Sequence, residues 1–424
     1  MTRGAEYDIV VLGATGATGR EVVSYLAERC PEAGVSWAVA GRDVDRCRAS
    51  LVTTGADDVP VLELDVTDRG AVERVVTLAG VVANVVGPYA RFGRHIYDVC
   101  AATGTDQVDV CGEIDWLAEQ VNRVHGAAVR TGSRIVFACG FESFPFDLVN
   151  LAVARVASKV WSELLASIEI AITVNPEPPV VRLRDIVSGG TVRSGTEALR
   201  RGAGSAIGDV RLLDPRPHDA MGLDLQPWRD RIDGRWLGPL LPTPYINPSI
   251  VYRTVGLLAE YDRLFADDFS YRDGLVAEHL VPGVPAPLTA AWLSGLQVMS
   301  SFVGSQSSAI GNAVAAGFEA FGPRPGDAPS DAHLAGWTWR LDALGTTIGG
   351  NQCQAAVVGS GHPGYRTTAR LVAEAAVVLA TTEGGSAGGV LTPAVAFGGT
   401  DLERWGRAGC EFRIEPSTST TGQP

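Results

Sequence analysis

The sequence contains one lysine, Lys159, in 424 residues, so arginine carries nearly all of its positive charge. This scarcity excludes two kinds of site. A Tyr-x-x-x-Lys catalytic dyad is impossible because Arg155 stands where the tyrosine would have to be, and a G-x-x-x-x-G-K phosphate loop is impossible because Ser158 precedes the lysine. Schiff-base chemistry would have to depend on Lys159 alone.

Patterns of metal-binding or disulfide-forming residues are also missing. The seven cysteines include no C-x-x-C pair and the six histidines no H-x-x-x-H pair, which predicts reduced thiols and no metal site. Residues Arg3, Glu6 and Asp8 precede the first apolar run, so we see no basic segment of a secretory signal. We therefore expect a cytoplasmic protein, with peripheral membrane association left open.

Charge is unevenly distributed. The net charge of −13 argues against nucleic-acid partners. Residues 280–318 carry no charged side chain, but prolines, glycines and serines interrupt them too often for a membrane-spanning helix. Two interpretations stay open for this segment: a helix in the core or in a homodimer interface, or a surface that contacts lipid or a long acyl chain.

A glycine-rich turn is the strongest positive signal. The apolar run Tyr7 to Leu12 leads into GATGATG at 13–19, and a helical pattern follows. A strand, a glycine turn and a helix N-terminus in this order can hold a pyrophosphate, because glycine lets the backbone approach the ligand closely. The residues that we predict to contact the cofactor here are Gly13, Thr15, Gly16, Ala17 and Gly19.

The cofactor type is predicted from the end of the second strand. Gly41-Arg42 follows the apolar run that ends at Ala40, at the position that meets the adenosine ribose. An arginine there accommodates the 2′-phosphate of NADP(H), whereas an acidic residue would bind the 2′-hydroxyl of NAD. Arg46 adds positive charge four residues later, and we also place Asp65, after the third strand, in the cofactor site.

Alternation of strands and helices indicates an α/β fold, with a Rossmann-type doubly wound parallel sheet. The predicted strands are 7–12, 35–40, 60–64, 81–86, 107–110 and 134–139. The predicted helices between them are 19–30, 43–52, 69–79, 93–103 and 114–131.

The remaining chain predicts a second, α+β domain for substrate binding or dimerisation. It contains a helix over 145–158, strands at 169–174 and 354–358, a loop-dominated stretch over 203–250 and a helix over 365–382. We expect an NADP-binding domain over 1–144, the second domain over 145–385, a segment over 386–415 that packs back on the first domain, and a disordered tail over 416–424.

Several short motifs, in order along nearly the whole chain, resemble the saccharopine dehydrogenase-like oxidoreductase family, and most of all its trans-acting enoyl reductase group. They are GATGATG at 13–19, AGR at 40–42, NVVGPYARFG at 84–93, GTDQVDVCGE at 104–113, CGFESFPFDL at 139–148, SGGT at 188–191, HPGY at 362–365 and GVLTPA at 389–394. One departure is His362, at a position where a carboxylate often precedes Pro-Gly-Tyr. The resemblance implies an NADP(H)-linked reductase of carbon–carbon double bonds in lipid-like or polyketide-type acyl chains, working with a synthase that lacks its own reductase.

Three loops should meet near the nicotinamide, because ligands of parallel sheets bind at the carboxyl ends of the strands. We assign Asn84, Val86, Gly87 and Pro88 to cofactor binding. Tyr89 is a candidate proton donor or a packing residue, and Arg91 a candidate for holding an anionic substrate group. In the next two loops, Glu113 is expected to cap the helix that follows it, and Glu142, Ser143 and Asp147 are candidate caps for the helix beginning near Pro145.

Two other functions stay open from the sequence. The first is imine or amino-acid chemistry in the manner of saccharopine dehydrogenases, with Arg182, Arg184 and Arg193 as candidate carboxylate-binding residues. The second is a non-catalytic NADP-binding scaffold that uses 280–318 to join a membrane or a partner.

Overall fold

A computed structural model describes most of the chain. The described residues are 4–177, 189–201, 209–239, 242–278, 280–304, 308–321, 327, 329–382, 387–398 and 401–416. The candidate arginines Arg182 and Arg184 lie outside them, as does the predicted tail from 417 onward.

The first sheet is parallel and has seven strands in the order β13-β6-β5-β4-β1-β2-β3. Its strands are β1 (Tyr7–Leu12), β2 (Trp37–Gly41), β3 (Val61–Glu63), β4 (Ala79–Asn84), β5 (Asp106–Asp109), β6 (Arg134–Val136) and β13 (Gly389–Leu391). The chain reverses its direction of winding between β1 and β4, as expected for the predicted fold class, which is confirmed.

Helices cover both faces of this sheet. They are α1 (Ala17–Ala33), α2 (Val44–Val52), α3 (Arg69–Val76), α4 (Tyr89–Phe92), α5 (Arg94–Thr103) and α6 (Ile114–Thr131), joined from the far end of the chain by α13 (Thr368–Thr381). Ile9 and Val11 of β1 face one core and Val10 and Leu12 the other, all fully buried. Burial on both faces explains why β1 reads as a continuous apolar run.

Helix α13 lies across α1 and β4. It is held there by a buried ion pair, in which Arg29 Nε of α1 lies 2.9 Å from Glu374 Oε2. The Tyr25 hydroxyl donates to the same carboxylate at 2.8 Å. A helix nearly 350 residues away in sequence therefore covers one face of the cofactor-binding sheet.

The second sheet is mixed and has the order β14-β12-β11-β7-β10-β9-β8. Its strands are β7 (Leu165–Asn175), β8 (Trp228–Arg229), β9 (Trp236–Gly238), β10 (Phe265–Val276), β11 (Thr338–Thr347), β12 (Gln352–Ser360) and β14 (Cys410–Pro416). Helix α7 (Phe144–Trp161) leads into it from β6 and packs against β7, β11 and β12.

The other helices surround this second sheet or join it to the first. They are α8 (Gly189–Arg201), α9 (Thr243–Leu258), α10 (Ala286–Gly304), α11 (Ser308–Phe321), α12 (Asp331–Gly336) and α14 (Pro393–Phe397), with a π-helical turn over Pro363–Thr367 and a 3-10 helix over Leu402–Ala408. Within the described ranges, none of the helices is both long and apolar enough to cross a membrane.

The predicted strands of the first sheet all form, within a few residues of their expected bounds. The expected loop over 203–250 was partly wrong, because α9 begins at Thr243 and the short strands β8 and β9 lie within it. The predicted strand at 169–174 is the centre of β7, and 354–358 lies within β12.

Candidate functional site

The glycine turn has the shape that a pyrophosphate requires. Gly13 adopts φ +95°, where side chains are disfavoured. A Cβ on Gly19 would lie 2.0 Å from the Gly13 carbonyl oxygen, so only glycine lets α1 begin this close to β1. Gly16 precedes α1 with no side-chain cap. The α1 N-terminus is thereby available to an anionic ligand, flanked by Thr15 and Ala17.

Arg20 is a cationic neighbour of this turn that was not predicted from the sequence. Its guanidinium donates to the Thr15 carbonyl at 3.1 Å. Position 20 lies one helical turn beyond Gly16, which is a signal that the sequence does contain. The arrangement adds positive charge beside the expected pyrophosphate position.

Asn84 ends β4 beside Leu12, at the point where the winding reverses. Its side chain is fully buried, and its Oδ1 accepts from the Val86 N–H at 3.1 Å. Its Nδ2 has no hydrogen-bond partner among the described residues. A buried donor without a partner next to the glycine turn fits a site that a ligand completes.

Arg42 follows β2 directly, as predicted, and its side chain is exposed. Arg46 is also exposed, and its backbone N–H donates to Asp43 Oδ1 at 3.0 Å, which caps α2. Within the described part of the chain neither guanidinium forms an ion pair. Hydrogen bonds from Thr67, with a further contribution from the Arg42 charge, lower the pKa of Asp65. The roles of these residues in cofactor binding stay predictions.

Replacing Arg42 by alanine is expected to raise the Kd for NADPH about 10- to 100-fold and to leave the Kd for NADH nearly unchanged. The reason is that a hydrogen bond to a charged phosphate contributes about 1.5–3 kcal/mol and NADH lacks that phosphate. Titration by cofactor fluorescence measures both constants. The control is Arg48→Ala, an exposed arginine of α2, the helix that begins two residues after Arg42. An equal loss for both cofactors would refute the phosphate role.

The loop after β4 contains the predicted residues Gly87, Pro88 and Tyr89. The peptide bond between Gly87 and Pro88 is cis. Tyr89 is buried; its hydroxyl donates to the Asn84 carbonyl at 3.0 Å and accepts from the Val110 N–H at 3.2 Å. Burial raises its pKa well above 10. The hydroxyl thus links β4 to the residue after β5, and its role as proton donor stays a prediction that these contacts do not favour.

Arg91 lies on the surface of α4. Its guanidinium carbon is 5.2 Å from the centroid of the Phe92 ring. This stacking leaves the guanidinium exposed, so a role in holding an anionic group stays a prediction.

Glu113, after β5, has a different role from the expected cap of α6. Its carboxylate accepts from the backbone N–H groups of Tyr89 and Ala90 at 2.8 and 2.9 Å, and so caps α4. It also accepts from the Ser194 hydroxyl at 2.8 Å. A Cβ on Gly87 would lie 3.9 Å from that hydroxyl oxygen. Helix α8 therefore borders the Gly87 loop.

The expected side-chain caps of α7 were also wrong. Ser143 precedes α7 without a capping hydrogen bond and instead donates to Asn247 Oδ1 at 2.9 Å. Asp147 accepts from the Thr254 hydroxyl at 2.7 Å and from the Ala394 N–H at 2.8 Å, so it caps α14. Ser143 and Asp147 therefore bind residues of α9 and α14, which come from later in the chain.

Glu142 occupies the loop after β6, where it meets the π-helical turn. A Cβ on Gly364 would lie 3.9 Å from Glu142 Oε1 and 3.8 Å from His362 Cε1, and a Cβ on Gly140 would lie 3.4 Å from Glu142 Oε2. Glu142 remains partly exposed, and burial of its carboxyl raises its pKa. This is a carboxylic acid favoured in its neutral form at the carboxyl end of a strand.

His362 packs beside this carboxyl. Its ring centroid lies 4.3 Å from that of Trp337 and 4.9 Å from that of Tyr365. The turn is joined to α1 by a hydrogen bond from Arg366 Nε to Glu21 Oε2 at 2.8 Å. The Phe141 N–H donates to the Thr368 hydroxyl at 3.0 Å. These contacts place the His362 turn between the loop after β6 and the helix of the glycine turn.

The His, Cys, Asp and Glu side chains in the ranges given above are candidate ligands for a metal ion. No cluster of three or more His, Cys, Asp or Glu side chains there has an arrangement for binding a metal ion.

Comparison with known proteins extends over the whole chain. The saccharopine dehydrogenase NADP binding domain matches residues 9–136. A candidate trans-acting enoyl reductase of Mycobacterium tuberculosis is 31% identical, with 96% of this chain and 97% of that protein aligned. A trans-acting enoyl reductase of Mycobacterium ulcerans is 30% identical, with 95% and 96% aligned.

Among solved structures, apo saccharopine dehydrogenase (L-Glu forming) of Saccharomyces cerevisiae is similar in fold. The TM-score is 0.50 at 15% identity, and the match covers 96% of this chain and 99% of that one. The likeness shows that the two chains share a fold.

Proposed function

Because the chain belongs to the saccharopine dehydrogenase-like oxidoreductases, in the group of the trans-acting enoyl reductases, it is an NADP(H)-dependent oxidoreductase, and we propose that it reduces the carbon–carbon double bond of a lipid-like or polyketide-type acyl substrate. The observation that carries the choice of a proton donor is the position of the Glu142 carboxyl, which lies after β6 against Gly140 and Gly364. Burial at this position raises its pKa. The names and full-length similarity of the relatives support the substrate class.

The residues of the cofactor site are suited to binding NADP(H). The α1 N-terminus and Arg20 can bind the pyrophosphate, and Arg42 the 2′-phosphate. The unpartnered Asn84 amide is a donor at the point where the nicotinamide half would enter. When bound, NADPH supplies a hydride to the β-carbon of the unsaturated acyl group.

A proton must reach the α-carbon to complete the reduction. We assign it to Glu142, because its carboxyl lies at the carboxyl end of β6 and burial raises its pKa, which favours the protonated form that a proton donor needs. His362 is buried, and both its ring and this carboxyl lie within 4 Å of a Cβ placed on Gly364. Solvent can return the proton afterwards because Glu142 remains partly exposed.

The resemblance to trans-acting enzymes also suggests how the acyl chain arrives. We propose that a separate synthase, lacking an active reductase of its own, presents an enoyl thioester to this enzyme. The loops at Gly87 and Glu142 and helix α8 would form the receiving edge.

An isotope experiment tests this function. The full-length protein is incubated with NADPH deuterated at the transferable position and with trans-2-enoyl thioesters of increasing chain length. We expect a saturated thioester with deuterium at the β-carbon, and with the α-proton taken from solvent. Consumption of NADPH with no deuterium in any acyl product would contradict the proposal.

A parallel reaction tests saccharopine dehydrogenase-like C=N chemistry. It supplies a 2-oxo acid and an amine, which form an imine in solution. Of the three candidate carboxylate-binding arginines, only Arg193 is described, on α8 beside Ser194. If deuterium appeared in a secondary amine but not in a thioester, the protein would reduce C=N bonds, and the enoyl proposal would be rejected.

A further inference from the structure

Helix α10 has its polarity reversed relative to an ordinary surface helix. Most of its large apolar side chains point outward. Leu288, Trp292, Leu296 and Met299 recur at spacings of three and four residues that put them on one side of the helix, and Val298 lies next to Met299 in sequence. These five side chains are between 42% and 62% exposed. A contiguous apolar surface of this kind marks a contact with a partner or with lipid.

The inward side of α10 carries small and polar groups together with the apolar Leu293. Ser294 and Gln297 are buried. The Tyr245 hydroxyl donates to the Gln297 carbonyl at 2.9 Å and pairs with the Ser301 hydroxyl at 2.9 Å. A Cβ on Gly238 of β9 would lie 2.9 Å from Leu293 Cβ, so α10 packs tightly there. These contacts fix the rotation of the helix and hold its apolar side outward.

The charge distribution of the chain distinguishes between the kinds of surface that could cover the apolar face of α10. The segment 280–318 carries no charged side chain, whereas the chain as a whole has a net charge of −13. The net negative charge of the chain would repel an anionic surface, and the segment 280–318 has no cationic side chain to attract one. An uncharged hydrocarbon phase is the complementary surface, because it solvates neither sign of charge.

Area argues against a second copy. A stable dimer buries about 800 Å² and roughly 20–30 residues on each partner. The apolar face of α10, with the exposed approach at Leu280, Val281 and Val284, offers far fewer residues than that. A lipid surface has no fixed side chains that must fit the protein, so a narrow, convex apolar face is sufficient for contact with it.

Helix α10 is linked to the loops of the candidate site through neighbouring helices. Tyr245, which holds α10, is adjacent to Ile246, and a Cβ on Gly112 in the loop after β5 would lie 2.7 Å from the Ile246 side chain. Helix α11, the second half of the uncharged segment, packs on α8, whose Ser194 binds Glu113. Helix α10 therefore contacts α9, which reaches the loop after β5, and α11 contacts α8, which borders the Gly87 loop.

We propose that the apolar face of α10 docks the enzyme on an uncharged or zwitterionic lipid surface, from which a lipophilic acyl substrate enters the site. The choice of lipid as occupant rests in part on the proposed function. The docking itself needs neither cofactor nor turnover.

The test is flotation of the full-length chain with phosphatidylcholine vesicles. The variant Trp292→Ser with Met299→Ser removes two apolar groups from the face. The matched control, Val160→Ser with Ile348→Ser, removes exposed apolar groups elsewhere, 50% and 62% exposed. We expect the wild type and the control to float equally and the α10 variant to bind about tenfold or more weakly, with an unchanged melting temperature.

Four outcomes would overturn the proposal. They are wild-type protein that stays with the unbound fraction, equal flotation of the α10 variant, and binding that requires anionic phosphatidylglycerol or disappears with salt. The fourth is a dimer, seen by light scattering without lipid, that the α10 variant dissociates. Flotation without reduction of any enoyl thioester would support docking and reject the proposed function. Reduction of short thioesters without flotation would support the proposed function and reject docking.

Discussion

Replacing Glu142 by glutamine is expected to lower kcat for the enoyl thioester about 10²- to 10⁴-fold, the range that a positioned proton donor contributes. The Kd for NADPH should stay within about threefold, because the glycine turn and Arg42 are untouched. Stopped-flow or steady-state loss of NADPH measures kcat, and cofactor fluorescence measures Kd. Glu119→Gln, at an exposed position of α6, is the control and should behave as the wild type.

The pH profile gives a second readout of the same variant. An acid must be protonated to donate, so wild-type kcat should be full below the raised pKa of Glu142 and fall as pH rises through it. The glutamine variant should lack this decrease. A variant that keeps kcat within about threefold of wild type, with the same pH profile, would remove Glu142 from the reaction.

Tyr89→Phe separates the two candidate donors. The change leaves the Val110 N–H without its acceptor, which costs about 1–3 kcal/mol of stability. We expect a lower melting temperature and a kcat within about tenfold of wild type. Loss of kcat as large as that expected for the Glu142 variant, with stability preserved, would assign proton donation to Tyr89.

Replacing Gly19 by alanine is expected to raise the Kd for NADPH by about 10²-fold or more, equivalent to about 2.7 kcal/mol or more. The new Cβ would stand 2.0 Å from the Gly13 carbonyl oxygen and 3.0 Å from Ala14 Cα. Both neighbours are backbone, so α1 must move away from the turn and its N–H groups leave the pyrophosphate position. Calorimetric titration measures the affinity, and thermal unfolding measures the accompanying loss of stability.

Gly126→Ala is the matched control for this substitution. Gly126 also lies inside a helix, and the nearest neighbour of its Cβ would be the end of the Arg130 side chain at 3.6 Å. Alanine there should leave the Kd for NADPH unchanged and stabilise the protein by up to about 1 kcal/mol. If Gly19→Ala bound NADPH within about threefold of wild type, the close packing of α1 on the turn would not be needed for cofactor binding.

The first sheet could be predicted from the sequence because its signals are local. Residues 7–19 combine an apolar strand, a glycine turn and a helix start within a single stretch, and Arg42 follows its strand directly. Each of these patterns depends on neighbours only a few residues away.

The arrangement around Glu142 could not be predicted in the same way. Its environment comes from Gly364 and His362, more than 200 residues later, and burial by distant groups leaves no trace in local spacing. Glu113 shows the same limit, because it caps α4, which precedes it, and binds Ser194, which follows it. Helix α10 was identified as uncharged, but the sequence left open whether its apolar side faces inward or outward.

Strand β13 forms an edge of the first sheet and helix α13 covers one of its faces, although both come from late in the chain. This order has a consequence for synthesis of the protein. When a ribosome has made the six strands up to Val136, the edge of β6 and the face beneath α13 are still uncovered, because the strand and helix that cover them come from residues 368–391. The nascent chain must protect this apolar surface while more than 200 further residues emerge. We therefore expect a fragment that stops at residue 144, which lacks both β13 and α13, to be prone to aggregate.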